Sequence, residues 1–400
     1  MTLVTIIIPT HNRQVYAAAA VHKIVQVLPS AQIVVSDTSA DDDLRTMLPA
    51  ATPGLDLAYV RPGRPMDVVS HFEFALGHAR GRYVMFLGDD DCIGPGLEEV
   101  AAWADCNRVD AVFSYGTSFI ANYFWPGVKS RFYGDGYASS LFVHPFTGTA
   151  RRIDPIAALR ETLRDFGRGL GTMPRAYHGL VSLELIHAVK ARFGTLFGGV
   201  SPDIYSATLL SEFAGNVWQV DFPFCLPGGS PSSTAGTGAA GTDMTSLEDN
   251  PHTAAFPDLR WDRLIPAFYA PYIVWAYSLK KAVDRLGRPD LTPNFARLYA
   301  LALMRNREQR GKVAQSFAEA RALGIGWRDV GWEMARETGF QARRYATRLT
   351  SPGAGGRAAH FTGLPDIAAG YDRLERYIAE REIRLQLPAA GLSASPAPVR

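Results

Sequence analysis

The chain has 400 residues, of which 47% are hydrophobic, with 41 Lys and Arg against 39 Asp and Glu. Such a length holds two domains, or one domain with a sizeable appendage, and a net charge of only +2 leaves no global electrostatic footprint for nucleic acid, which is excluded as a partner. Cys92, Cys106 and Cys225 are odd in number and fit neither a disulfide framework nor a zinc spacing, so packing roles in a reducing compartment are expected.

Pro9, His11, Asn12 and Arg13 interrupt the apolar run at the N-terminus, which therefore does not read as a signal peptide. The most apolar later segment, Leu264 to Leu279, is shorter than a membrane span of ~20 residues and contains Pro266 and Pro271, so it reads as a buried helix. The expected location is the cytoplasm, including the inner face of the membrane.

Residues 3 to 115 alternate short β-branched runs with longer amphipathic ones, the pattern of βαβ units on a mostly parallel sheet. Strands are predicted over Leu3–Ile8, Gln32–Ser36, Leu57–Val60, Tyr83–Leu87 and Ala111–Ser114. Helices are predicted near Val15–Leu28, Asp42–Leu48, Val68–Ala79 and Pro95–Ala104, the last opened by Gly94-Pro95-Gly96. Residues 116 to 150 are rich in Tyr, Phe and Gly and read as loops and short strands over the sheet edge. Asp154 caps a helix to about Phe166, a second helix covers Leu183–Phe193, and Ser201-Pro202-Asp203 opens a third through Ala214. A strand follows at Val217–Phe224.

Residues 226–256 are crowded with Gly, Ser, Thr, Pro and Ala and read as a mobile loop beside the site. Gly236-Thr237-Gly238-Ala239-Ala240-Gly241 within it matches the dinucleotide fingerprint by letters only, since no apolar strand precedes it. From Pro257 to Leu349 the chain reads as helical, and Ser351–Gly356 breaks it. A charged helix, Tyr371–Leu387, is a candidate for pairing with another subunit, and the Ala/Pro/Ser tail from about 388 is expected to be disordered. The resulting domains are a catalytic unit at 1–225, the loop at 226–256 and a C-terminal helical region at 257–400.

Ligands of such sheets bind at the carboxyl ends of the strands. Two strand ends there carry chemistry: Pro9-Thr10-His11-Asn12-Arg13 after the first, and Asp89-Asp90-Asp91 after Phe86-Leu87-Gly88. Three consecutive carboxylates at the mouth of a buried strand repel one another and call for a cation, and oxygen ligands suit Mg2+ or Mn2+. An acidic loop before the helix near Pro95 is the structural alternative.

These two stretches, with Val34-Val35-Ser36-Asp37-Thr38-Ser39-Ala40-Asp41 between them, resemble family 2 glycosyltransferases of the GT-A fold in residues, order and spacing. The resemblance covers roughly the first 225 residues. It implies a Rossmann-like, mostly parallel α/β sheet flanked by helices, here followed by the C-terminal helical region. It implies nucleotide contacts from Pro9, Thr10, His11, Asn12 and Arg13, with His11 in place of the common Tyr. Asp37 falls at the position that binds the base, with Ser36 replacing the usual first acid. A carboxylate accepting a ring N–H selects uracil or thymine over cytosine, so a UDP or dTDP donor is favoured.

The resemblance further places Asp90 as the direct metal ligand with Asp91 supporting it at the metal, and Asp89 toward ribose or metal. His178 and His252 are candidates to contact diphosphate or complete the metal shell, with His252, beside the loop, the better placed. Asp203 is the candidate general base, because the segment Gly199–Tyr205 is similar to the acceptor-side stretch of many bacterial members, although Ser-Pro-Asp is also an ordinary helix opening. Glu184 and Asp221 are weaker candidates.

The implied function is inverting transfer of a sugar from a nucleoside-diphosphate sugar to a carbohydrate or lipid-linked glycan in bacterial surface polysaccharide synthesis. Two competitors are a sugar nucleotidyltransferase and a noncatalytic nucleotide-sugar-binding subunit. The first requires a Gly-rich loop that Pro9–Arg13 lacks. Trp332, Phe340, Arg343, Arg344 and Arg348 form a basic amphipathic stretch suited to peripheral membrane contact.

Overall fold

The computed structural model describes residues 2–116, 118–130, 134–234, 236–237, 246–256, 258–349 and 358–389. The last four residues of the fingerprint match, Gly238–Gly241, the Ser351–Gly356 break and the tail from 390 lie outside the described residues.

The β-branched N-terminal runs form β1 (Val4–Thr10), β2 (Gln32–Asp37), β3 (Asp56–Val60) and β4 (Tyr83–Phe86), then the two-residue β5 (Cys92–Ile93) and β6 (Ala111–Phe113). Helices α1 (Gln14–Val27), α2 (Asp43–Met47), α3 (Val68–Leu76) and α4 (Leu97–Cys106) occupy the connections. β1 pairs in parallel with β2 and β4, and β2 with β3, as crossover helices require. The register opposes Thr10 to Asp37, so the first two strands end side by side.

The next segments are β7 (Ala121–Phe124), β8 (Ser140–Val143), β9 (Ala150–Ile153), α5 (Pro155–Arg164), β10 (Gly179–Ser182), α6 (Leu183–Phe193), α7 (Pro202–Phe213), β11 (Val217–Val220), β12 (Cys225–Leu226) and β13 (Gly228–Gly229). Asp154 caps α5 by accepting from the amides of Ile156 and Ala157, with Pro155 in the first turn. The main sheet runs β3-β2-β1-β4-β10-β6-β11-β9. β10 is antiparallel to both of its neighbours; four residues without alternation gave no strand signal in the sequence. The strand read as Val217–Phe224 stops at Val220.

A second sheet, β13-β7-β8-β14, is completed by β14 (Ala359–Phe361) from the C-terminal region. β12 runs into the segment read as a mobile loop and β13 lies inside it, so its first residues are ordered sheet, not loop.

The C-terminal region forms the helices Pro271–Leu286, Phe295–Arg305, Arg310–Ala320, Trp327–Leu349 and Ile367–Glu380. The last ends seven residues before the Leu387 expected, where Glu382 adopts a φ of 51°. Pro388 is still tied down, its carbonyl accepting from Trp103 Nε1 at 2.8 Å. Ile7 and Phe86 of the sheet and Phe268 and Leu298 of the helical region share one continuous apolar core, so packing runs through the division read at 226–256. No described helix is long and apolar enough to cross a membrane. Cys92 and Cys225 are buried packing residues, whereas Cys106 is exposed.

Candidate active site

The ends of β1 and β4 open onto a cavity of about 1070 Å3, lined by Pro9, Thr10, His11, Arg13, Asp89, Asp90, Asp91, Asp203 and His252 among others. The sequence-predicted residues from four distant segments therefore meet on one wall system. Asn12 and Asp37 are absent from that lining.

Asp37 is fully buried. Its Oδ1 accepts from the Ser39 amide at 2.7 Å and its Oδ2 from the Tyr59 hydroxyl at 2.7 Å. Ser39 in turn accepts from the Asn12 amide at 2.7 Å, and Thr38 N donates to the Thr10 carbonyl at 3.1 Å. The carboxylate thus braces the turn after β2 against the end of β1, and the exposed His11 ring sits on that turn, 2.9 Å from the Thr38 carbonyl.

The three consecutive acids are all buried but do three different things. Asp89 accepts from Thr10 Oγ1 at 2.8 Å and faces Arg13 Nη1 at 3.1 Å. Asp90 lies 2.7 Å from Arg13 Nη2 and accepts from the Ser230 amide at 2.8 Å. Burial pushes the Asp89 carboxyl up to about 7, against the pull of Arg13, and raises Asp90 as well, with Asp91 adding its like charge. The same two carboxylates outweigh burial at Arg13 and hold its guanidinium above the usual range.

Asp91 is enclosed. Its Oδ2 accepts from the Gly88 amide at 2.6 Å, the Tyr177 hydroxyl at 3.1 Å and His178 Nε2 at 2.5 Å, and its Oδ1 from the Gly228 amide at 2.7 Å. Burial alone raises a carboxyl, but the His178 contact and the two amides outweigh it and hold Asp91 below the ordinary value. Four donors use the lone pairs of a carboxylate, so Asp91, expected among the metal ligands, is a structural acid in this arrangement. His178, a candidate for diphosphate or the metal shell, is its partner and carries a left-handed φ of 61°. His178 Nδ1 is 2.7 Å from the Tyr115 hydroxyl.

Asp89 and Asp90 offer hard oxygen donors, and the buried Asp89 Oδ1, which faces Arg13, accepts no hydrogen bond among the described residues. That donor set fits a divalent cation whose other positions are filled by phosphate oxygens and water. Among the described residues no group of three or more His, Cys, Asp and Glu is arranged around one point. His252, expected to complete the shell, is elsewhere: its Nε2 donates to the Val200 carbonyl, which removes that nitrogen as a ligand. Burial lowers its pKa, which keeps the ring neutral.

Asp203 stands in the first turn of α7 and lines the same cavity, its Oδ1 accepting from Ser201 Oγ at 2.6 Å. The start of α7 is fixed by the C-terminal region, because Ser278 Oγ accepts from the amides of Val200 and Ser201 at 3.0 and 2.9 Å. Glu184 and Asp221 do not line the cavity.

Sequence reasoning missed Gly228, Ser230, Trp125 and Tyr177. Gly228 is required by close approach: a Cβ there would meet the Asp90 carbonyl oxygen at 1.8 Å. That approach delivers the Gly228 and Ser230 amides to the acids, while Trp125 Nε1 donates to the Asp90 carbonyl at 2.9 Å. The only signal in the sequence was the Gly228-Gly229 pair.

No curated protein matches the chain. Among solved structures it is similar to S. aureus TarS 1–349 in complex with UDP-GlcNAc, at 13% identity over 80% of this chain and 92% of that one, with a TM-score of 0.43. It is also similar to the mannosyltransferase PcManGT from Pyrobaculum calidifontis in complex with GDP-Man and Mn2+, at 15% identity over 95% and 87%, with a TM-score of 0.38. Residues 5–164 match the model of glycosyl transferase family 2, a span that runs from β1 through α5 and includes both the β1 end and the three acids. Residues 5–164 thus form a glycosyl transferase family 2 domain, which holds the β1 end and the three acids.

Proposed function

We propose that the chain transfers a sugar from a nucleoside-diphosphate sugar to an acceptor hydroxyl with inversion at the anomeric carbon. What carries the reading is the convergence, on one cavity, of the β1 end, the Asp89–Asp90 pair and Asp203. Pro9, Thr10, His11 and Arg13 cradle the nucleotide, and UDP or dTDP is favoured if Asp37 exchanges its Tyr59 contact for a base N–H. Asp89 and Asp90 would hold Mn2+ or Mg2+, and a divalent cation bound there neutralises charge on the leaving nucleoside diphosphate.

Asp203 removes the proton from the acceptor hydroxyl as that oxygen bonds to the anomeric carbon. The bond from that carbon to the diphosphate oxygen breaks in the same displacement. Thr10 and Ser230 N orient Asp89 and Asp90, and Asp91 anchors the turn that carries them. A carbohydrate or lipid-linked glycan is the acceptor proposed.

The experiment is to incubate the protein with Mn2+ and a panel of nucleotide sugars and to measure nucleoside diphosphate release, for the wild type and Asp90→Ala. Release from one donor that is lost in the variant is expected. Failure to bind or hydrolyse any donor, with no effect of the substitution, rejects the proposal.

A further inference from the structure

The cavity has a second wall built by residues beyond the family match: Arg168 after α5, Tyr272 and Trp275 on the helix Pro271–Leu286, and Arg305 at the end of Phe295–Arg305. Charge there is unbalanced. Among the described residues, the guanidiniums of Arg168, Arg297, Arg305 and Arg336 share three carboxylates, those of Asp165, Glu333 and Glu337. Arg297 and Arg336 each hold Asp165 at 2.7 Å, and Arg297 also holds Glu337 at 2.7 Å, while Arg168 takes the same Glu337 oxygen.

Arg305 is left over. Among the described residues its one carboxylate is Glu337 Oε1, at 3.7 Å, and that oxygen already accepts from Gln341 at 2.6 Å. Its guanidinium instead lies over the Tyr272 ring, 5.5 Å from the centroid, with its side chain 38% exposed. Burial, then the like charge of Arg168, lowers its pKa, the mark of a crowded cation. Beside it the turn at Gly169, with a φ of 93°, runs against Trp275, where a Cβ would contact the indole at 3.4 Å. A guanidinium fork whose one carboxylate among the described residues is distant and shared, on a cavity that an indole also lines, has the chemistry to bind an anion on a sugar.

We propose that this wall is the acceptor subsite, with Arg305 gripping a phosphate or carboxylate of the acceptor while Trp275 stacks on an adjoining sugar ring. The assignment rests on the glycosyl-transfer reading above, and gives the C-terminal helices a role in substrate choice.

The test is titration of the full chain, by calorimetry, with sn-glycerol 3-phosphate, glucuronic acid and glucose, and separately with UDP, dTDP and GDP. One of the two anions is expected to bind at least about ten-fold more tightly than glucose, and Arg305→Met to remove that advantage. The better anion identifies phosphate or carboxylate. Equal binding of all three probes overturns the subsite, as does an unchanged anion affinity in Arg305→Met. If that variant does not fold, the wild type decides: anion affinity that fails to weaken relative to glucose between about 50 and about 500 mM NaCl overturns the proposal. Nucleotide binding without anion binding defeats the subsite alone, whereas absence of any nucleotide binding defeats the transfer reading beneath it.

Discussion

Arg13 Nη2 lies 2.7 Å from Asp90 Oδ2, and the other arm of the same guanidinium reaches Asp89. One guanidinium therefore pairs with both Asp89 and Asp90. Arg13→Met leaves both acids buried without a counter-charge, a change that costs about 3 kcal/mol or more when a buried pair is broken. Urea unfolding should show that loss, and Mn2+ should raise the melting temperature of the variant more than that of the wild type. An equal Mn2+ shift in both would mean that Arg13 and the metal do not compete for these oxygens.

Asp91 and Asp90 are adjacent in the chain but separable by experiment. Asp91 is fully enclosed by Gly88, Tyr177, His178 and Gly228, so Asp91→Asn forces an amide N–H against donors and is expected to destabilise by about 3 kcal/mol or more. Asp90→Asn keeps an oxygen for the Ser230 amide and should change the unfolding midpoint far less. Equal stabilities of the two variants would refute the division of roles.

The strand ends were legible because each is an apolar run that stops at polar residues, a pattern fixed by burial within a few neighbours. The roles within Asp89-Asp90-Asp91 were not, because they are assigned by groups far away in sequence. His178 lies 87 residues from Asp91, and the Gly228 amide lies 137 residues away. His252 looked like a ligand beside a flexible loop, yet its ring is committed to the Val200 carbonyl. The helical region read as an appendage, and its placement on the cavity depends on packing of Ser278 and Phe268 that no local periodicity encodes.

Tyr59 donates to Asp37 Oδ2, the oxygen needed if Asp37 is to accept a base N–H. Tyr59→Phe removes that competitor. Uridine nucleotides should then bind roughly three- to ten-fold more tightly, the worth of one hydrogen bond that no longer has to be broken. Cytidine nucleotides should not gain. If uridine affinity stays fixed, Asp37 is only the brace between the ends of β1 and β2.

Asp203→Asn preserves the Ser201 contact and the opening of α7 while removing the proton acceptor. Nucleotide affinity should be unchanged and transfer reduced by about a hundred-fold or more, the usual contribution of a positioned base. Transfer at the wild-type rate would exclude Asp203 and return the search to other groups on the acceptor wall.

His71 sets a pH dependence for the nucleotide side of the fold. It is buried on α3 and its Nε2 donates to the Ser36 carbonyl at 3.0 Å, behind the turn that holds Asp37. Burial depresses its pKa from the usual 6.5 to about 4. Between those values the unfolded chain binds a proton that the folded chain refuses, so stability is complete above about pH 6.5 and falls as the pH drops toward 4. Over that window the loss is about 3 kcal/mol at most. His71→Gln retains a donor for Ser36 without the titration. Its urea midpoint should therefore decline less than that of the wild type across the same window, and parallel declines would show that His71 does not resist protonation.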